Sequence, residues 1–156
     1  MVKMNFMKKA IFTFLLSFLM ISVFAQIESP VKWSYTAKKK GDKIYDIVIT
    51  ASLPQPWHIY SQTTPEGGPI PTSINFKTNP LLALEGKVKE AGSLKTEHDP
   101  NFGVDVKYFA DKVDFVQTVK LKSNVKTNIA GTVEFMVCND NKCLPPAKHN
   151  FNIALQ

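Results

Sequence analysis

Four segments alternate apolar and polar residues with a period of two. "KIYDIVITASL" sets Ile47, Ile49, Ala51 and Leu53 on one face. "KVDFVQTVKLK" sets Val113, Phe115, Val119 and Leu121 on one face, with Asp114, Lys120 and Lys122 opposite. "NIAGTVEFMVC" turns Ile129, Val133, Phe135 and Val137 inward, and "HNFNIAL" does the same with Phe151, Ile153 and Leu155. This alternation predicts half-buried strands. "VKWSY", "WHIYS", "TSINF", "KVKEAG" and "VKYFA" are shorter strand candidates, and no segment makes a convincing amphipathic helix. Ten prolines and seven glycines punctuate the segments. About eight short strands in one domain predict an all-β protein, an immunoglobulin-like antiparallel β-sandwich. The long cysteine spacing of antibody domains is missing, so the architecture alone is implied.

Between the strands, "KKKGDK" at residues 38–43 reads as a solvated hairpin tip with Gly41-Asp42 as turn residues. Two stretches read as long loops: "SQTTPEGGPIPT" at residues 61–72, and "LKTEHDPNFGVD" at residues 94–105 around Phe102. Long loops on a rigid sandwich are where function concentrates.

The first residues follow a different pattern. Lys3, Lys8 and Lys9 precede an almost unbroken apolar run from Ala10 to Phe24, and Val23 and Ala25 occupy the small-residue positions that a signal peptidase reads. Residues 1–25 are therefore expected to be a signal peptide, leaving residues 26–156 as one exported domain. The run is shorter than the roughly 20 residues of a membrane span, so no span is expected after cleavage. Export to the periplasm or beyond also permits a disulfide.

Composition narrows the partners. The net charge is +6, but three lysines leave with the leader, so the mature part has 16 lysines against 13 acidic residues, or +3. The chain has no arginine. Phosphate and base-edge recognition lean on the arginine fork, so nucleic acid is not an expected partner. No nucleophile–base pattern of the G-x-S-x-G kind is present, which argues against a hydrolase.

The two cysteines lie in "CNDNKCLPP", at Cys138 and Cys143, across a four-residue tip. Residues facing each other across such a tip have Cα atoms about 4.5–5.5 Å apart, within disulfide reach. As a staple the bond would be weak. A ring this small gains about 2.2 kcal/mol in the chain-entropy model, against about 4.7 for a ring of a hundred residues. Strand parity turns Cys138 outward. It also requires the ladder to slip by one residue between Cys143 and His149, and Pro145-Pro146 can supply the slip. The pair is then expected on an irregular, partly exposed rim, where a labile bond would be accessible. Lys142 would favour a Cys143 thiolate, and Asp140 would oppose it. A staple and an exchanging pair both remain open on these residues. A Cys2His2 site with His58, His98 or His149 matches no standard zinc spacing, and parity places His149 on the inward face of its strand.

"FMVCNDNKCLPP" resembles the cysteine hairpin in the N-terminal periplasmic domain of DsbD-type thiol:disulfide interchange proteins. "PQPWHIYSQ" is similar to that family's aromatic segment near the active site, and "HDPNFGVDVKYFADKVDF" to its cap loop and following strand. The resemblance spans roughly residues 31–155 and implies an immunoglobulin-like sandwich that exchanges thiols and disulfides without a cofactor or metal. Carried over, Cys143 would form the mixed disulfide with a partner and Cys138 would resolve it. Phe102 would cap the pair, Asp99 (with Glu97) would stand near the sulfurs to assist proton transfer, and Tyr60 and His58 would line the site. The implied partners are a thioredoxin-like redox domain and oxidised periplasmic proteins. Two departures stand out: the inter-cysteine loop has four residues where the best-known members have five, and Pro100 separates Asp99 from Phe102 by an unusual spacing. The sequence ends at Gln156, so a standalone, monomeric domain with a borrowed reductant is expected. The competing expectation is a non-catalytic protein-binding sandwich with a purely structural disulfide.

Overall fold

Strands β1 (Lys32–Gly41) and β2 (Ile44–Ser52) form the first hairpin, with Trp33 opposite Ala51 and Tyr35 opposite Ile49. Its turn is Asp42-Lys43, one residue beyond the expected tip, and Lys43 takes a left-handed φ of 60°. The structure is a computed structural model that describes residues 28–100 and 102–155. The expected signal peptide at residues 1–25 lies outside them. Among the described residues there is no helix, and none is therefore long and apolar enough to cross a membrane.

Seven further strands complete the fold: β3 (His58–Tyr60), β4 (Ser73–Phe76), β5 (Leu82–Asp99), β6 (Val104–Leu121), β7 (Thr127–Phe135), β8 (Val137–Cys138) and β9 (Ala147–Leu155). All pairings are antiparallel. The larger sheet runs β1-β2-β6-β3-β8, with β5 also paired to β6. The smaller sheet runs β4-β7-β9. β2 and β3 lie end to end along the same edge of β6, with Ser52 opposite Lys112 and His58 opposite Ala110. Pro54 and Pro56 occupy the break between them, where proline costs no ladder bond.

The core lies between the sheets, on the faces that alternation assigns. Ile47, Ile49, Phe115 and Val119 from the larger sheet meet Ile129, Val133, Phe151 and Ile153 from the smaller one. Gln117 falls on the same inward face of β6 and is buried; its amide donates to the carbonyls of Glu85 (3.0 Å) and Thr118 (2.8 Å), which satisfies a polar group that burial would otherwise penalise. Along one side, rings close the sandwich: Trp33 packs edge-on against Phe135 at 5.1 Å, and His149 stacks on Trp33 at 5.7 Å and Tyr35 at 6.0 Å. His149 is thus half-buried between aromatic rings, on the inward side that parity gave it.

The two stretches read as loops behave differently. Residues 61–72 do form an irregular connection, tied down at its start by Glu90, which accepts from Ser61 Oγ and the Gln62 amide at 2.7 Å each. Residues 94–105, in contrast, are the end of a long hairpin. β5 and β6 stay paired from Leu94 opposite Phe109 to Asp99 opposite Val104, and Pro100, Phe102 and Gly103 lie in the turn beyond them. The alternation that marks a strand is missing because this end of β5 is exposed on both faces.

Candidate functional site

Chain crossover between the sheets creates the site. β7 belongs to the smaller sheet; after Met136 the chain joins the larger one as β8, where Cys138 pairs with His58 and Val137 with Ile59. Period-two geometry then sorts the side chains. Ile59, Phe109 and Val137 enter the main core. Tyr60, Val106 and Cys138 form a second buried cluster, with Val104, Tyr108 and Met136 packed against it. Cys138 therefore faces away from the core, as parity requires, yet it is only 2 % exposed. The expectation of an outward and accessible Cys138 is corrected on this point. On that outer face Val104, Val106 and Tyr108, from the turn end of the β5–β6 hairpin, pack with it.

Cys138 and Cys143 are disulfide-bonded, with Cα atoms 4.0 Å apart. Asn139 folds the tip between them. Its Oδ1 accepts from the amides of Asn141 and Lys142 at 2.9 Å each, and its own amide donates to the Lys142 carbonyl at 2.9 Å. The Leu144 amide donates to the Val137 carbonyl at 2.9 Å. Pairing then shifts by one residue, from Val137 with Leu144 to Phe135 with Ala147, and Pro145-Pro146 fills the extra place. The slip falls where parity demanded it. Cys143 is exposed. Lys142, expected to act on Cys143, directs its ammonium to Glu28 and over the Trp57 ring at 5.9 Å.

A cleft of about 320 Å³ opens beside the bond, lined by Cys138, Cys143, His58, Tyr60, Asp99 and Phe102 among others. Six of the residues singled out in the sequence thus border one concavity. Phe102 stands half-buried in the turn between β5 and β6, where the Gly103 amide donates to the Asp99 carbonyl at 2.8 Å. A second cleft adjoins it, and His58, Asp99, Asn139 and Asp140 line both. Glu97 and Tyr108 lie in this second cleft.

The polar groups here are linked. His58 Nε2 lies 3.3 Å from the Tyr60 hydroxyl, and the His58 ring sits 4.5 Å from that of Tyr108. The Tyr108 hydroxyl donates to Glu97 Oε2 at 2.7 Å. Burial lowers the His58 pKa from its ordinary 6.5, against the opposing pull of Asp140, Asp99 and Glu97. The imidazole is therefore neutral at pH 7. Burial first, then Asp99 and Tyr108, pushes Tyr60 up to about 12. Burial and the bond to Glu97 push Tyr108 up to about 12 as well. Both phenols stay protonated across the physiological range.

Among the described residues no group of three or more His, Cys, Asp or Glu is arranged to hold a metal ion. His149 belongs to the aromatic side of the sandwich, and His98 pairs with Asp105 at 3.0 Å on the surface. The sequence reading missed Tyr108 and Asn139. Tyr108 faces Tyr60 only through the non-local β3–β6 pairing. Asn139 carried a local signal, since Asn favours turns in which its side chain caps the amides that follow.

The family model for the N-terminal domain of the thiol:disulfide interchange protein DsbD matches residues 27–155. The chain belongs to the DsbD N-terminal domain family. Among solved structures, the DsbD N-terminal domain of Neisseria meningitidis, crystallised in its reduced form, is similar in fold: the TM-score is 0.52 at 13 % sequence identity, over 78 % of this chain and 84 % of that one. No curated protein matches the chain at a significant level. The DsbD family fold is an immunoglobulin-like sandwich, as the alternation predicted. Membership and the Cys138–Cys143 disulfide together support involvement in thiol–disulfide exchange.

Proposed function

We propose that the protein is an exported electron carrier that passes reducing equivalents from a thioredoxin-like donor to oxidised periplasmic proteins through Cys138 and Cys143. One observation carries this reading: the two bonded sulfurs differ in access, Cys143 being exposed and Cys138 buried, at the edge of a cleft. An exchanging pair needs one sulfur that a partner can reach and one that is held in reserve. A staple needs neither. The hairpin is already closed by two backbone hydrogen bonds and the Asn139 turn, so the bond adds little constraint here.

In the oxidising direction for the protein, the Cys143 thiolate attacks one sulfur of a partner disulfide. That sulfur bonds to Cys143, and the other leaves as the partner's first thiolate. Cys138 loses its proton and attacks Cys143 Sγ, releasing the second partner thiolate. Two electrons pass to the partner, and the local disulfide is restored. A reduced thioredoxin-like donor resets the pair by the reverse steps. Phe102 shields the bond until a partner displaces it, Tyr60 and His58 line the approach, and Asp99 bears on the protons exchanged there.

The test is trapping. Cys138→Ala is expected to accumulate mixed disulfides through Cys143, and Cys143→Ala to accumulate far fewer, as read by non-reducing electrophoresis. Equal trapping by both would reverse or abolish the assigned roles. A reduction potential below about −300 mV would mark the bond as structural instead, and one near about −200 mV fits exchange.

A further inference from the structure

Resolution of the mixed disulfide poses a problem that the geometry itself raises. Cys138 is walled in by Tyr60 and Val106, and burial in apolar surroundings raises a thiol pKa. The attacking form is the thiolate, so something must take the proton inside the cluster. We infer that His58 is that proton acceptor, a role beyond lining the cleft.

Three placements support this. His58 stands directly opposite Cys138 in the β3–β8 ladder, so both side chains leave the same face of the sheet. His58 and Cys138 both line the cleft that holds Cys143. The ring itself reaches into the buried cluster that holds Cys138, its Nε2 lying 3.3 Å from the Tyr60 hydroxyl. The groups facing His58 are Tyr60 on its own strand, Tyr108 on β6, Glu97, His98 and Asp99 on β5, and Asp140 and Lys142 on the hairpin tip. Tyr60 and Tyr108, both near pKa 12, cannot accept a proton at neutral pH.

The step balances without an added reagent. The Cys138 thiol gives its proton to the His58 imidazole, and the thiolate attacks Cys143 Sγ. The sulfur–sulfur bond between Cys143 and the outgoing group breaks, and that group leaves with the electron pair. In the reverse reaction the imidazolium returns the proton as Cys138 departs. This assignment rests on the exchange reading for its physiological meaning, but its test does not.

The probe is 5,5′-dithiobis(2-nitrobenzoate). With the reduced protein, the first thionitrobenzoate reports attack by Cys143 and the second reports ring closure by Cys138, both read by stopped-flow absorbance. In the wild type, ring closure is expected to be slow where His58 is protonated and to level off above pH 6.5. His58→Phe is expected to slow the second release about a hundredfold relative to the first at pH 7, the scale of a positioned general base. Its rate should then climb with pH and show no plateau. His58→Tyr, which keeps an aromatic ring in the space, is expected to behave the same way and covers the case in which the phenylalanine variant folds poorly. Wild-type rates in a folded variant, or a slower rate that keeps the plateau, would overturn the assignment. Trapping by Cys138→Ala with ring closure indifferent to His58 would sink this inference alone. The opposite result would spare it and sink the exchange reading.

Discussion

In β6, residues 113–121 run between β2 and β5 and press Val113, Phe115 and Val119 into the core, all fully buried. Residues 104–109 pair with β5 and residues 108–110 with β3, and there the face turned away from the core is the one that matters: Val106 and Tyr108 enclose Cys138 on it. The change occurs at Asp111, a non-glycine residue at φ 66°, opposite the irregularity between Gly92 and Leu94 in β5. One strand thus supplies the frame with one half and the roof of the site with the other. Stability should be concentrated in the first half, and access to the sulfurs controlled by the second.

Phe115→Ala breaks the comparison most severely. It empties the centre of the core and is expected to cost about 3–5 kcal/mol. Chemical denaturation measures this, and ring closure in whatever fraction stays folded should be unaffected. Gly92→Ala acts at the junction. A Cβ there would sit 2.9 Å from the Lys112 carbonyl oxygen and 3.0 Å from Phe109 Cδ1, so β5 must move off β6. The expected cost is about 1–3 kcal/mol. More tellingly, amide exchange should rise in residues 94–109 and stay at wild-type levels in residues 113–121. Uniform acceleration would show that the two halves open together.

The halves also differ in how far the sequence reveals them. The frame half is legible because one face meets the core and the other meets water, so polarity alternates with strand period. The same holds for β2, β7 and β9, whose inward residues are those that alternation named. The slip at Pro145-Pro146 was legible as well, because two parity assignments disagreed by one residue. The roof half was legible only on one side: "VKYFA" read as a strand, but its partner did not. β5 beyond Gly92 is wet on both faces and carries no alternation, so its pairing is invisible without the partner strand. Reading it as a loop left residues 104–109 of β6 without their partner. The cluster of His58, Tyr60, Asp99, Phe102 and the cysteines followed from resemblance; the Tyr108–Glu97 link, set by long-range register, did not.

Acid and alkali should separate the halves further. His58 has a depressed pKa, so its contribution to stability is full above pH 6.5 and is lost as pH falls through the lower folded value. Tyr60 and Tyr108 have raised values, so theirs is full below pH 10 and is lost as pH rises toward about 12. All three lie on the roofed face, while Tyr35, raised by burial, and Asp46, where desolvation is outweighed by Thr118 and Lys40 and the value is lowered, add to the alkaline and acid limbs from the frame. Melting temperature against pH should therefore decline at both ends, and His58→Phe should flatten the acid limb alone.

The smallest effect is expected from Tyr108→Phe, and it isolates the hairpin end. The hydroxyl donates to Glu97, whose carboxylate is exposed, so removing it leaves water to satisfy the acid. The cost should stay below about 1 kcal/mol, since no buried group is orphaned. The alkaline limb should become shallower, because one of the three raised phenols, Tyr35, Tyr60 and Tyr108, is gone, and the acid limb should stay as in the wild type. If the bond to Glu97 fixes the roof over Cys138, the variant should also release its second thionitrobenzoate at a changed rate while its melting temperature barely moves. A loss of several kcal/mol would instead place residues 104–110 within the frame and erase the division drawn at Asp111.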